Sequence, residues 1–249
     1  MLFRLVIALT LCLASGTVSD ADVSPTTIAN VQRSVFAVVC FTRADSKIAS
    51  VVGTGFFLSR SGQFVTAAHV LADLRVVAQR IGCVGGVMLP TGGAWSDLHG
   101  VIAAEWFALG NCADDASPAV DLATCDLVTN PFTHAATRGY VTPVLLEISR
   151  QPDGTGIAFS GFPLQNLHPI TSKGYVAGYN FNERDEMVQI ILDRTAWPGA
   201  SGSPVYVDSG RVVGILTLRG TGDAAGLAYA QSAELIARFL SGHALPVTK

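Results

Sequence analysis

From Val35 onward the chain is a succession of short β-branched and aromatic runs, each cut off within a few residues by Gly, Asn, Asp or Ser. Such a pattern offers few helix signals and predicts strands joined by turns. The strand candidates are 35–41, 54–58, 63–67, 84–89, 101–107 and 122–127, then 144–148, 156–160, 174–180, 187–192, 204–207 and 212–218. Between the two series, 130–139 shows little periodicity and reads as a linker. Two all-β halves of six strands each are implied. The end differs, because Leu235, Ile236, Phe239 and Leu240 recur at the spacing of one helical face, which predicts a C-terminal helix packed on the second half.

Length and composition narrow the classes of function. The chain has 249 residues, 49% of them hydrophobic and 14% charged, enough apolar material for a sizeable core and too much for a disordered chain. Lys and Arg number 16 against 19 Asp and Glu, for a net charge of -3, and no basic stripe is present to neutralise a phosphate backbone. Nucleic acid is therefore not expected as a partner. The mean hydropathy of +0.42 has a membrane-like value, yet the apolar stretch 5–14 falls short of the roughly 20 residues of a spanning helix. It follows Arg4 and gives way to Ala14-Ser15-Gly16, the organisation of a secretory leader cleaved after Gly16, with Ala21 as the second choice. Export to the periplasm or the extracellular medium is the expectation.

Loss of such a leader removes Cys12 and leaves Cys40, Cys83, Cys112 and Cys125. An even number in an exported chain points to disulfides. Four cysteines permit three pairings; Cys112 with Cys125, which bracket a short loop, and by default Cys40 with Cys83, are favoured. No pair of cysteines has zinc-ligand spacing, and no metal is expected.

Three segments carry chemistry. In Thr66-Ala67-Ala68-His69 a strand runs directly into an imidazole, the usual general base, although a histidine at a strand end is more often structural. In Val120-Asp121-Leu122 a carboxylate is set in an apolar strand, where burial demands a partner such as an imidazole N–H. Asp126 competes for that role, but an odd spacing from Asp121 sends the two side chains to opposite faces of a regular strand; Asp114 and Asp115 read as solvated. The third segment is Trp197-Pro198-Gly199-Ala200-Ser201-Gly202-Ser203-Pro204. Its Ser201 sits in a glycine-rich turn, where the N–H groups of Gly199 and Ser201 form a natural pair of donors for an oxyanion. Ser203, followed directly by Pro204, is the poorer nucleophile.

Together with Gly53-Thr54-Gly55, Gly161-Phe162-Pro163, Asp193 and 214–217, these segments resemble the trypsin/chymotrypsin-like serine peptidases, and among them the bacterial HtrA/Deg-type and other short secreted members. The resemblance spans about residues 30–240. It implies two six-stranded antiparallel β-barrels with the site between them, His69 as general base, Asp121 as its orienter, Ser201 as nucleophile and Gly199 and Ser201 as oxyanion donors. It also implies a substrate pocket formed by Thr195, Thr217, Arg219, Gly226 and Ala228. Without an acidic floor, that pocket is expected to take a small or medium aliphatic side chain, with Arg219 offering a route to acidic ones. No cofactor is implied, and the partners are protein or peptide substrates.

Two departures matter. Ala200 stands where the trypsin group places an Asp that pairs with a newly cut N-terminus, and no PDZ module is expected after the C-terminal helix. The expected organisation is a leader at 1–16, an N-terminal segment at 17–33, a first barrel at 34–128, a linker at 129–141, a second barrel at 142–230, and a helix and tail at 231–249. The rival readings are a catalytically silent scaffold acting as a binding or chaperone module, and an esterase. An α/β-type esterase needs a Gly-x-Ser-x-Gly elbow, whereas position 203 is Ser.

Overall fold

Strand pairing closes each half of the chain on itself. The structure is a computed structural model that describes residues 22–42, 47–91, 103–117, 119–183 and 186–243; the expected leader lies outside them. The first barrel contains β1 (Val35–Thr42), β2 (Lys47–Phe57), β3 (Phe64–Ala67), β4 (Val84–Pro90), β5 (Ala104–Asp115) and β6 (Leu122–Leu127), closed in the order β1-β2-β3-β6-β5-β4. The second contains β7 (Gly156–Gly161), β8 (Ile170–Phe181), β9 (Met187–Leu192), β10 (Pro204–Tyr206), β11 (Val212–Arg219) and β12 (Ala228–Ser232), closed in the order β10-β11-β12-β9-β8-β7. Every pairing between these strands is antiparallel, and closure leaves no long open edge.

Phe36, Phe57 and Phe64, all essentially buried, cluster on one face of the first barrel's sheet, and the buried Phe56 packs on the other face. Phe36 meets Phe57 at 4.5 Å and Phe64 edge-on at 5.0 Å between ring centres. Each such ring contributes about 2–3 kcal/mol by leaving water. Disulfides join Cys40 to Cys83 and Cys112 to Cys125; the second links residues directly opposite each other on β5 and β6.

Among the described residues three α-helices accompany the barrels: α1 (Pro25–Gln32), α2 (Ala68–Ile81) and α3 (Ala233–Gly242). The last is the expected C-terminal helix, capped by the Ser232 hydroxyl, which accepts from Leu235 N–H at 3.2 Å. Helix α2 occupies a stretch where strands and turns alone were anticipated. Its Val70, Leu71 and Leu74 form a buried stripe, and Gly82 ends it in the left-handed conformation at φ 68°.

The sixth strand of the second barrel also differs from expectation. It is β12, whereas 144–148 makes only a parallel bridge from Leu146 to Val212. Val212 pairs with Tyr206 of β10 on one side, and the segment takes its other side, short of Gly214 where β12 begins to pair, with Leu145 and Ile148 in solvent. Alanine-rich β12 has weak intrinsic strand preference, but β9 and β11 flank it on both sides and that packing decides its conformation.

Candidate active site

Helix α2 begins immediately after β3, so His69 is its second residue and presents an orphan backbone N–H. No side chain of Ala67 can cap it. Asp121 takes that place from the start of β6: Oδ1 accepts the His69 backbone N–H at 3.0 Å, and Oδ2 lies 2.8 Å from His69 Nδ1. The Asp121 carbonyl accepts from Ala68 N–H at 3.2 Å. This triple engagement holds Asp121 at φ 45°, a left-handed conformation that aspartate tolerates better than most residues. A carboxylate can only accept, so Nδ1 carries the proton and Nε2 is left as an acceptor.

Burial, the largest influence on the imidazole, disfavours its charged form. The hydrogen bond to Asp121 and the charges of Asp121 and Asp73 together outweigh it and raise the His69 pKa above its ordinary 6.5.

Ser201 follows a tight turn. Ala200 N–H donates to the Trp197 carbonyl at 3.0 Å, with Pro198 and Gly199 as the central residues and Gly199 at φ 91°, the features of a type II turn. The Pro198 carbonyl accepts from Leu164 N–H at 2.8 Å. Carbonyl and N–H point in opposite directions across a trans peptide, so this contact turns the Gly199 N–H away from Leu164. Among the described residues neither Gly199 N–H nor Ser201 N–H has an acceptor. Two donors therefore stand free beside the serine hydroxyl, which makes a long 3.5 Å contact to the Thr217 carbonyl and no hydrogen bond to His69. Such contacts are often long in free enzymes and tighten with substrate.

The competing residues are engaged elsewhere. Ser203 is fully buried and donates to the Ala200 carbonyl at 2.6 Å. Asp126 accepts from Asn111 N–H across the β5–β6 pair, Asp114 pairs with Arg75 at 2.7 Å, and Asp115 accepts from Ser117 N–H at 2.9 Å. Asp193 accepts from Tyr175 N–H at 2.8 Å.

His69 and Ser201 open onto one cleft of about 400 Å³. Its remaining walls include Ala196, Trp197, Leu216, Thr217, Leu218 and Thr221, all uncharged, with Asp73 at the rim. Of the expected pocket residues, Thr217 lines this cleft. Thr195, Gly226 and Ala228 are not among its walls, Ala228 being fully buried on β12 opposite Leu192. Arg219 closes β11, paired with Ala228. Trp197 and Leu218, both half exposed, carried no signal in the sequence because each is a lone apolar residue beside a turn or strand end.

Residues 53–215 match the trypsin-like peptidase domain family. The chain belongs to that family. Among solved structures this trypsin-like peptidase is similar to the active form of the Rv3671c protease from M. tuberculosis, with a TM-score of 0.62 and 16% identity over 92% of this chain and 89% of that one. It is also similar to the MamO protease domain from Magnetospirillum magneticum, with a TM-score of 0.60 and 17% identity over 85% and 97%. For Deg5 the values are 0.55 and 19% over 87% and 94%. At these identities the likeness establishes the two-barrel fold. No curated protein sequence matches the chain.

Proposed function

We propose that this trypsin-like peptidase is an exported serine endopeptidase that cleaves peptide bonds through an acyl-enzyme on Ser201. The observation that carries the reading is the cleft in which the Ser201 hydroxyl, the free N–H groups of Gly199 and Ser201, and the imidazole of His69 share one space. Membership of the family supplies the peptide substrate class.

In the first step Ser201 Oγ adds to the substrate carbonyl carbon while His69 Nε2 takes the hydroxyl proton. Asp121 stabilises the imidazolium and fixes its orientation. Negative charge collects on the carbonyl oxygen, where the Gly199 and Ser201 N–H groups receive it; losing one such donor costs about 10²–10³ in turnover. The carbon–nitrogen bond then breaks, and His69 returns the proton to the departing amine. Water, deprotonated by the same imidazole, releases the acyl group and restores the serine.

Export is supported by the disulfides Cys40–Cys83 and Cys112–Cys125, which persist in oxidising compartments. Among the described residues no helix is long and apolar enough to cross a membrane.

Labelling with a fluorophosphonate tests the reading, because Ser201 Oγ must bond to phosphorus and expel fluoride. Mass mapping is expected to place the adduct on Ser201, with none on Ser201→Ala and strong loss in His69→Ala. A folded protein that resists the reagent would favour the silent binding scaffold instead.

A further inference from the structure

A second groove of about 610 Å³ continues from the cleft, sharing Val52, Asp73, Pro198 and Gly199 with it. Its outer walls carry the apolar side chains of Val76, Val77 and Leu164 beside the polar Ser50 and Gln165. Val76 and Leu164 are 63% and 58% exposed, so a bound chain would remove substantial apolar surface from water there. Asp73 stands at the junction. It lies one helical turn after His69 on α2, is exposed, and makes no hydrogen bond or salt bridge among the described residues. Among the described residues His69 and Asp73 are the ionisable side chains that line these two hollows.

Granted the acyl-enzyme reading above, the direction of a substrate through these hollows follows from the proton. The leaving nitrogen receives it from His69, which sits at the start of α2, so the chain beyond the cut departs along α2, past Asp73 and over Val76 and Leu164. We infer that this groove seats the leaving half of the substrate and that Asp73 selects Lys or Arg within the first two residues after the cut, with aliphatic residues following. A carboxylate with no hydrogen-bond partner among the described residues, set beside apolar side chains, complements that sequence and disfavours an acidic one.

The reverse half-reaction isolates this side of the site. p-Nitrophenyl acetate acetylates Ser201, releasing nitrophenolate. An added dipeptide amide then attacks the ester carbon through its terminal amine, forming a carbon–nitrogen bond as the bond to Oγ breaks, and one amine proton passes to Oγ through His69. The ratio of acetyl-dipeptide from Arg-Val-amide to that from Glu-Val-amide reads Asp73 alone, since both nucleophiles use the same acyl-enzyme. Wild-type protein is expected to favour Arg-Val-amide about fivefold. Asp73→Asn should bring the ratio near unity, and Asp73→Lys should invert it, an outcome that a merely structural effect does not produce. A ratio of unity in the wild type with acetyl-Ser201 seen by mass, or a ratio indifferent to Asp73→Lys, overturns the inference alone. Failure to detect acetyl-Ser201 overturns the nucleophile assignment and this inference with it.

Discussion

The backbone N–H of Thr54 donates to the carbonyl of Ser201 at 2.9 Å. The second strand of one barrel thereby grips the nucleophile turn of the other. The Thr54 hydroxyl extends the grip, donating to the Gly199 carbonyl at 3.0 Å while accepting from Phe162 N–H at 3.0 Å. The position of the candidate oxyanion donors is thus set by a buried side chain that never enters the cleft.

Substituting Thr54→Val tests that dependence. The backbone bond to Ser201 persists, but Phe162 N–H and the Gly199 carbonyl lose the hydroxyl that joins them, at a cost of about 1–3 kcal/mol. The expected result is a lower melting temperature together with a fall in kcat on a small ester substrate, measured by calorimetry and stopped-time assay. Full turnover with only stability lost would show that the turn holds itself.

The contrast between Thr54 and His69 explains what was legible beforehand. Ser201, Gly199, His69 and Asp121 sit in short local patterns whose chemistry is specified by residue type, and the two-barrel architecture follows from a strand pattern repeated in each half. The Thr54 hydrogen bonds join positions more than a hundred residues apart, which no local pattern encodes. Helix α2 was hidden because its Val and Ile content mimics a strand, and β12 because alanines give it little intrinsic preference. The cleft walls escaped for a related reason, since Trp197 and Leu218 come to line one cleft only after the second barrel closes.

Gln165 offers a second route to the oxyanion turn. Leu164 and Gln165 are consecutive non-glycine residues at φ 57° and 62°, a conformation that costs on the order of 1–2 kcal/mol each. The Gln165 amide offsets that strain by bonding both ways to Val51, accepting from its N–H at 2.9 Å and donating to its carbonyl at 2.7 Å. Gln165→Ala should let Leu164 relax and release the Pro198 carbonyl. About tenfold loss of kcat with little change in KM for an ester with a small leaving group is expected, and Gln165→Glu, which keeps the acceptor but not the donor, should fall between. Unchanged kcat in Gln165→Ala would sever Gln165 from the site.

The raised pKa of His69 gives a signed prediction. Only the neutral imidazole accepts the serine proton, so kcat/KM should climb with pH through a midpoint above 6.5. Asp121→Asn removes both the charge and the acceptor at Nδ1, and should lower the midpoint while cutting kcat by about 10⁴, because the ring is then held in the wrong tautomer. For stability the sign is opposite: a group whose pKa is raised on folding stabilises below its unfolded value, and that contribution fades as pH rises through the folded one. Melting profiles of wild type and His69→Gln should therefore converge on the alkaline side of the midpoint; convergence on the acidic side would contradict the charge assignment.

The two disulfides should separate activity from global stability. In a chain-entropy account the bridge across 43 residues, Cys40–Cys83, contributes about 4 kcal/mol, and the one across 13, Cys112–Cys125, about 3 kcal/mol. The smaller loop contains Asp121, and its bridge locks the β5–β6 register at the strand that presents this carboxylate. Cys112→Ser with Cys125→Ser should therefore depress fluorophosphonate reactivity more than the double replacement at Cys40 and Cys83, although the latter should lower the denaturant midpoint further. Labelling rates and guanidinium melts on the two double variants make the comparison. If reactivity instead follows global stability, the β5–β6 bridge contributes to the barrel without positioning Asp121.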